Sequence, residues 1–326
     1  MAIPRLDARP MAREAAIEDD AEQQTVPAAL FCDPPPDLAA LAQTLPQAIP
    51  SHGVNLNAVL YTAGGSDPHP TVLLLNGLPG NEQNLDCAQT VRRAGWNVLA
   101  IHYRGSWGGP GAFTFAHCLE DVAASLDWLQ DPASCGKLRI DPQRIVIVGH
   151  SMGGFVAAHT AAERPGILGT ALISGVDLGQ AFGIGDTGHA AAAVDDNVGI
   201  SAGLHILAGT SPNLLADEAR RNADQWCLAA YASHLAGRPL LTVTSDDGFA
   251  AGSDALADAV QVLGGKKLAR AHLATDHSYA SCRIELQVKL LQWLATTSGS
   301  PAAVRNDDAV DTDNPVRKDA YVGGQN

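Results

Sequence analysis

The sequence predicts an α/β fold built on a mostly parallel, doubly wound sheet, and two features of the chain predict it. Short apolar runs such as Thr71 to Asn76 and Ile145 to Val148 are typical of parallel strands that are buried on both faces. Helical patterns separate these runs, at residues 83–94, 118–130 and 152–163. Strands that alternate with helices in this way indicate a parallel sheet with helices packed on both sides.

The remaining elements follow the same alternation, with one interruption. Val54 to Thr62 alternates apolar and polar residues, which predicts a strand at the edge of the sheet. Residues 177–237 break the rhythm, and a structureless loop of this length is unusual inside a compact domain, so we expect a helical lid insertion. Further strands are expected at 98–102, 168–174, 239–244 and 267–273, and further helices at 253–263 and 281–296.

The two ends of the chain differ in composition from its body. Residues 1–50 are acidic and rich in alanine and proline, which predicts an N-terminal arm that is partly disordered. Residues 298–326 contain five aspartates and few apolar side chains, which predicts a disordered acidic tail. The folded domain is therefore expected at residues 51–297.

Composition argues against several classes of protein. The formal net charge is −14 and no cluster of lysine or arginine is present, so neither nucleic acid nor an anionic membrane is an expected partner. No apolar stretch is long enough to span a membrane and no signal peptide is apparent, which favours a soluble, cytoplasmic protein. The six cysteines are scattered without a C-x-x-C pair and no H-x-x-H motif occurs, so we expect no metal and no cofactor. The oligomeric state stays open.

The segment from Gly149 to Gly153 (G-H-S-M-G) matches the G-x-S-x-G pattern of a nucleophile elbow. It follows an apolar strand directly and precedes a helical stretch, which is the context that the motif requires. Such a turn is strained and crowded, and glycines beside the serine remove the Cβ atoms that would clash. The pattern predicts Ser151 as a nucleophile. His150 is expected to be a packing residue whose ring points away from Ser151.

Two further turns resemble those of a known family. Asn76 to Glu82 (N-G-L-P-G-N-E) resembles the H-G-x-P-G turn of α/β-hydrolases, with Asn76 where histidine is usual. Tyr103 to Gly111 resembles the Y-R-G-x-x-G turn of bacterial α/β-hydrolases related to prolyl-oligopeptidase-type and acylaminoacyl-peptidase-type domains. The resemblance covers residues 54–296. It implies the α/β-hydrolase fold, and an oxyanion hole formed by the backbone N–H groups of Leu78 and Met152.

The resemblance also implies a catalytic triad in the order serine, acid, histidine. His277 lies in the loop before the last predicted helix, where the catalytic histidine of this fold is found. Asp246 and Asp247 both follow the strand at 239–244 and compete for the role of the acid. The family pattern, with Gly248 allowing a sharp turn, favours Asp247 and leaves Asp246 facing solvent.

These residues imply a serine hydrolase that cleaves carboxylic esters through an acyl-serine intermediate, with a small-molecule acyl ester as substrate. A peptidase or amidase of the same fold is an alternative, because the Tyr103 to Gly111 turn resembles that of oligopeptidase domains. A catalytically inactive, ligand-binding member of the fold is another. The segment 177–237 is expected to set the substrate range.

Overall fold

Eight strands form one sheet in the part of the chain that this computed structural model describes, residues 26–182 and 203–297. The strand order is β1-β2-β4-β3-β5-β6-β7-β8. The first three strands of that order pair antiparallel, and every later pairing is parallel. The strands are β1 (Gln43–Ser51), β2 (Val54–Thr62), β3 (His69–Leu75), β4 (Asn97–Ile101), β5 (Ile140–His150), β6 (Gly169–Ile173), β7 (Leu240–Ser245) and β8 (Leu268–Leu273).

Helices cover both faces of this sheet. Alternate residues of a strand point to opposite faces, so Val72 and Leu74 of β3 face one core and Leu73 and Leu75 face the other. The helices are α1 (Leu85–Arg93), α2 (Phe115–Gln130), α3 (Pro132–Leu138), α4 (Met152–Glu163), α5 (Leu178–Phe182), α6 (Pro212–Arg221), α7 (Ala232–Leu235), α8 (Ala250–Val262) and α9 (Arg283–Thr297). Helices α1 and α9 pack on the Val72 face, whereas α2, α4 and α8 pack on the Leu73 face. The doubly wound sheet that the sequence predicts is confirmed.

The edge of the sheet differs from the prediction. Strand β1 lies within residues 1–50, which the composition assigned to an arm, and β2 is paired on both sides. The boundary expected at residue 51 is therefore wrong for Gln43–Ser51. Pro46 and Pro50 explain the error, because prolines are typical of loops. Proline has no N–H to donate to a ladder, and an edge strand such as β1 tolerates it because only one of its sides pairs within the described sheet.

The interruption at residues 177–237 is helical where it is described, and residues 183–202 lie outside the described chain. It consists of α5, short 3₁₀ helices at Leu204–Ile206 and Leu228–Tyr231, α6 and α7. Trp226 is buried in edge-on and tilted contacts with Phe115 and Phe155. The Glu218 carboxylate accepts the Phe115 and Ala116 N–H groups at 2.9 Å each, which stabilises the start of α2. Much of the insertion is therefore anchored on α2 and α4.

Other sequence-based expectations concern the chain as a whole. All six cysteines are in the described chain, and none forms a disulfide. Within residues 26–182 and 203–297, no helix has the length and apolar character to cross a membrane. In the same ranges, no group of three or more His, Cys, Asp or Glu side chains is arranged to hold a metal ion. The acidic tail at 298–326 and residues 1–25 of the arm lie outside the described residues.

Candidate active site

Ser151 lies at the turn between β5 and α4, where the sequence places the elbow. Its backbone has φ +59° and ψ −125°, a strained conformation for a residue with a Cβ atom. The strain is held by main-chain hydrogen bonds: the Ser151 N–H donates to Ile173 O at 2.9 Å, and the Ser151 carbonyl accepts from Val176 at 3.1 Å. Neighbouring β6 and the loop after it therefore fix the serine at the carboxyl edge of the sheet.

Close backbone approach explains two glycines around Ser151. A Cβ atom at Gly149 would lie 1.9 Å from the Gly153 carbonyl oxygen, inside the same turn. A Cβ atom at Gly77 would lie 2.6 Å from Ser151 Cβ and 3.1 Å from Ser151 Oγ. The loop after β3 therefore packs directly against the serine side chain, and only glycine fits at these two contacts.

That loop carries the predicted oxyanion residue Leu78, the residue after Gly77. In the described chain no backbone carbonyl accepts a hydrogen bond from the Leu78 N–H. Met152 is the first residue of α4, and the first N–H groups of a helix have no partner within the helix. Asn76, where the family usually has histidine, is buried and donates from Nδ2 to the Gly77 carbonyl at 3.0 Å. The asparagine thus braces the same loop.

Asp247 and His277 form a pair at the same edge of the sheet. Asp247 Oδ2 lies 2.7 Å from His277 Nδ1, and the aspartate side chain is only 2% exposed. Asp247 Oδ1 also accepts the Phe249 N–H at 2.9 Å across the turn at Gly248, whose φ is +84°. This turn aims the carboxylate inward, as the sequence pattern suggested for Asp247 rather than Asp246.

The surroundings of Asp247 favour its ionised form. Burial of the carboxyl raises its pKa, but hydrogen bonding from His277, the Ser174 hydroxyl and the Phe249 N–H outweighs burial. The net pKa of Asp247 therefore lies well below the ordinary value of 3.8. A carboxylate that stays ionised holds the proton of the histidine on Nδ1 and leaves Nε2 free to accept another proton.

Asp246 makes a different pair on the other side of the β7 end. Its Oδ1 lies 3.1 Å from Nε2 of His272, a residue of β8, and both side chains are more than half exposed. His272 Nδ1 also lies 2.9 Å from Thr244 Oγ1. Asp246 therefore faces solvent.

Three residues that surround the Asp247–His277 pair were not assigned to the active site from the sequence. Ser174, directly after β6, lies 2.9 Å through Oγ from the Tyr279 hydroxyl, and Tyr279 donates to Val243 O at 2.9 Å. His150, assigned only to packing, lies with Nε2 at 2.8 Å from the His277 carbonyl oxygen. Ser174 has a sequence signal, since it is a polar residue at the carboxyl end of a parallel strand. The contact of His150 has none, because a loop 127 residues away supplies the partner.

Ser151 and the Asp247–His277 pair share one edge of the sheet without a direct hydrogen bond. Among the described residues no hydrogen bond joins the Ser151 hydroxyl to His277, whose Nδ1 contacts Asp247. Catalytic hydrogen bonds of this kind are often long in a free enzyme and tighten when substrate binds. The arrangement provides a hydroxyl on an elbow, an oriented imidazole and free backbone N–H groups, which are the parts needed for acyl transfer.

A comparison with models of known protein families agrees with this fold. A family model described as the alpha/beta hydrolase fold matches residues 70–193. That segment contains β3, the loop with Gly77 and the Ser151 elbow. Together with the eight-stranded sheet, this match shows that the chain has the α/β-hydrolase fold.

Individual relatives within this class are distant or partial. An uncharacterized protein of Mycobacterium tuberculosis is 35% identical over 106 residues, which are 32% of this chain and 35% of the relative. Acylamino-acid-releasing enzyme 1 of Oryza sativa subsp. japonica is 28% identical over 120 residues, 33% of this chain and 15% of the relative. The carboxylesterase EstE1, cloned from a metagenomic library, superposes with a TM-score of 0.58 at 19% identity over 83% of this chain and 92% of that chain. The matched segments span about a third or less of these curated relatives, and the structural likeness shows the fold.

Proposed function

We propose that this protein is a serine hydrolase that cleaves small-molecule carboxylic esters, with Ser151, Asp247 and His277 as a catalytic triad. The observation that carries the proposal is the convergence of an elbow serine and a buried Asp–His pair at one carboxyl edge of a parallel sheet. In open α/β sheets this edge is where ligands bind. The structural likeness to a carboxylesterase supports an ester substrate.

The proposed reaction needs one proton acceptor and one nucleophile. Nε2 of His277 takes the proton from Ser151 as Oγ bonds to the ester carbonyl carbon. The tetrahedral intermediate collapses, the bond to the leaving oxygen breaks, and His277 gives its proton to the departing alcohol. Water then attacks the acyl-serine with His277 as base again, which releases the acid and restores Ser151. Asp247 holds the imidazole by its Nδ1–H and stabilises the imidazolium in both steps.

Charge on the carbonyl oxygen develops only during attack, and the Leu78 and Met152 N–H groups are proposed to stabilise it. Two contacts support this role. Gly77 brings the loop with Leu78 against Ser151, and Met152 follows the serine in the chain. The positive end of α4 adds to the stabilisation at the same place.

The helical insertion is proposed to set the substrate range. A Cβ atom at Gly203 would lie 2.5 Å from Pro79 Cγ, so the insertion packs against the residue after Leu78. Leu207 forms an antiparallel bridge with Ser106, and the indole N–H of Trp107 donates to Pro79 O at 3.1 Å. These contacts support a substrate pocket bounded by the insertion and by the turn from Tyr103 to Gly111.

Cleavage of amides is the second candidate. The turn from Tyr103 to Gly111 and the similarity to acylamino-acid-releasing enzyme 1 favour it. The same triad serves both bonds, and an amide additionally needs His277 to protonate a more basic leaving nitrogen.

A fluorophosphonate probe together with a substrate panel tests these proposals. The wild-type protein should be labelled at Ser151, and Ser151→Ala should fold normally, escape labelling and lose about 10⁶-fold in kcat on p-nitrophenyl acetate. Turnover of p-nitrophenyl esters that exceeds turnover of matched anilides supports the esterase, and the reverse order supports the amidase. Folded wild-type protein that is neither labelled nor active contradicts both and supports an inactive, ligand-binding member of the fold.

A further inference from the structure

His150 is the residue directly before Ser151 and the last residue of β5. Its side chain is buried, with the whole residue only 3% exposed. The ring lies with its centroid 4.8 Å from the centroid of the His277 ring, and its Nε2 lies 2.8 Å from the His277 carbonyl oxygen. A buried imidazole next to the nucleophile therefore contacts both the ring and the backbone of the proposed base.

The contact fixes the tautomer of His150. A carbonyl oxygen only accepts hydrogen bonds, so Nε2 carries the hydrogen and donates it. Nδ1 is then an acceptor, and it is buried with no hydrogen-bond partner in the described chain. A polar atom without a partner has a free-energy cost in the folded state. Packing alone gives no reason to prefer histidine at this position over an apolar side chain of similar size.

The imidazole also stays uncharged beside a group that becomes charged during the proposed reaction. Burial, and then the proximity of His277, lower the pKa of His150 to about 4. At neutral pH a single positive charge can therefore form on His277 without a second one on the adjacent ring.

We propose that His150 is a positioning residue, whose Nε2–H holds the backbone of the His277 loop at a fixed distance from Ser151. This inference rests on the proposed function. Asp247 fixes the ring of His277 at Nδ1, and the buried Tyr279 anchors the next turn of the loop on Ser174 and Val243 O, but neither contact reaches the elbow itself. The hydrogen bond from His150 joins the residue next to the nucleophile to the base itself, so it sets the gap that a proton must cross from Ser151 Oγ.

Hydrogen bonds from Arg283 hold the same loop at Ser278, on the side away from His150. Arg283 donates from Nη1 to the Ser278 carbonyl at 3.0 Å and to Asn84 Oδ1 at 3.0 Å, and from Nε to Asp86 Oδ2 at 2.9 Å. These bonds tie the loop to the start of α1. Among the described residues, the direct hydrogen bond between His277 and the serine elbow is the one from His150.

Two amide variants of His150 separate positioning from packing. The amide nitrogen of glutamine reaches about as far as Nε2 of histidine, whereas that of asparagine ends near Nδ1. His150→Gln should retain kcat on p-nitrophenyl acetate within about threefold, while His150→Asn should lose at least about tenfold, the loss expected for one hydrogen bond. KM should change less than twofold in both, because the contact orients the base and does not bind substrate.

The outcome is read from kcat, KM, the melting temperature and the rate of fluorophosphonate labelling of the full-length protein. Equal kcat in both variants, whether equally retained or equally lost with equal melting temperatures, overturns the proposal. If His150→Asn does not fold, His150→Phe replaces it, since phenylalanine keeps a ring but donates nothing. A wild-type protein that is folded and not labelled at Ser151 instead overturns the proposed function, and the positioning role with it.

Discussion

Two aspartate–histidine pairs lie side by side where strands β7 and β8 end, and they differ mainly in burial. Asp247 is withdrawn from solvent and bonded to His277 at 2.7 Å, whereas Asp246 and His272 are exposed and 3.1 Å apart. Their aspartates are consecutive in the chain, so their side chains leave the backbone in different directions. The residue types are thus the same, although Asp247 contacts Nδ1 of its histidine and Asp246 contacts Nε2. The direction of the aspartate side chain decides which pair lies beside the elbow.

The difference has an electrostatic consequence. Water screens an exposed ion pair, so the pair contributes little to the free energy of folding, and this contribution depends on the salt concentration. A buried carboxylate that accepts several hydrogen bonds is held in one charge state and one orientation. It therefore also fixes the orientation of the histidine ring that is bonded to it. Burial therefore separates the two pairs: the Asp247 carboxylate is held ionised and fixed, which is what the proposed triad needs, whereas Asp246 is open to water.

Replacing the two aspartates in turn is the strongest way to break this comparison. If the proposed triad is right, Asp247→Asn should lower kcat by about 10⁴-fold, the loss known from serine proteases, because the amide favours the wrong tautomer of His277. Asp246→Asn, the matched control one residue away, should change kcat less than twofold. Steady-state kinetics of both variants on p-nitrophenyl acetate decide it. A large loss of kcat in Asp246→Asn with a small loss in Asp247→Asn would show that Asp246, and not Asp247, is the acid.

Features that depend on local pattern could be predicted from the sequence. The second half of β5, from Ile145 to Val148, is buried and appears as an uninterrupted apolar run, and the elbow glycines mark the Ser151 turn. The choice of Asp247 over Asp246 also agrees with the geometry, because Gly248 signals the turn that aims the carboxylate. The triad itself stays a prediction until the variants are measured.

Features that depend on long-range contacts could not be predicted. Strand β1 was assigned to the arm because two prolines and several polar side chains mask an edge strand. The hydrogen bond from His150 to the His277 loop arises only when the chain folds. A histidine beside the nucleophile has the same sequence pattern whether its ring contacts that loop or turns away from it.

Burial of His150 should also make the free energy of unfolding depend on pH. The folded pKa of His150 is about 4, below its ordinary value of 6.5, so the unfolded chain binds a proton that the folded chain does not. The stability that the neutral ring provides is complete above pH 6.5 and is lost as pH falls towards 4. At pH 5 the loss from this one group should be about 2 kcal/mol.

Urea unfolding at pH 7 and pH 5 measures that loss for the wild type and for His150→Gln, which carries no titrating ring. The free energy of unfolding should fall by about 2 kcal/mol more in the wild type than in the variant. The neighbours His277, Asp247 and Arg283 are present in both proteins, so the difference between the two proteins reports the titration of His150 together with its coupling to these neighbours. Identical pH dependence of wild type and His150→Gln would contradict the burial argument.

The smallest expected effect belongs to the exposed pair. A double-mutant cycle with Asp246→Asn, His272→Gln and both together should give a coupling free energy below about 0.5 kcal/mol. That coupling should decrease towards zero when the salt concentration is raised from 0.05 to 1 M, because ions screen exposed charges. The kcat of the wild type should respond to the same salt by less than about twofold, since Asp247 is shielded from solvent. A coupling above about 1.5 kcal/mol that persists in high salt would make Asp246–His272 equivalent to the buried pair, and burial would then no longer explain why only one of them is suited to catalysis.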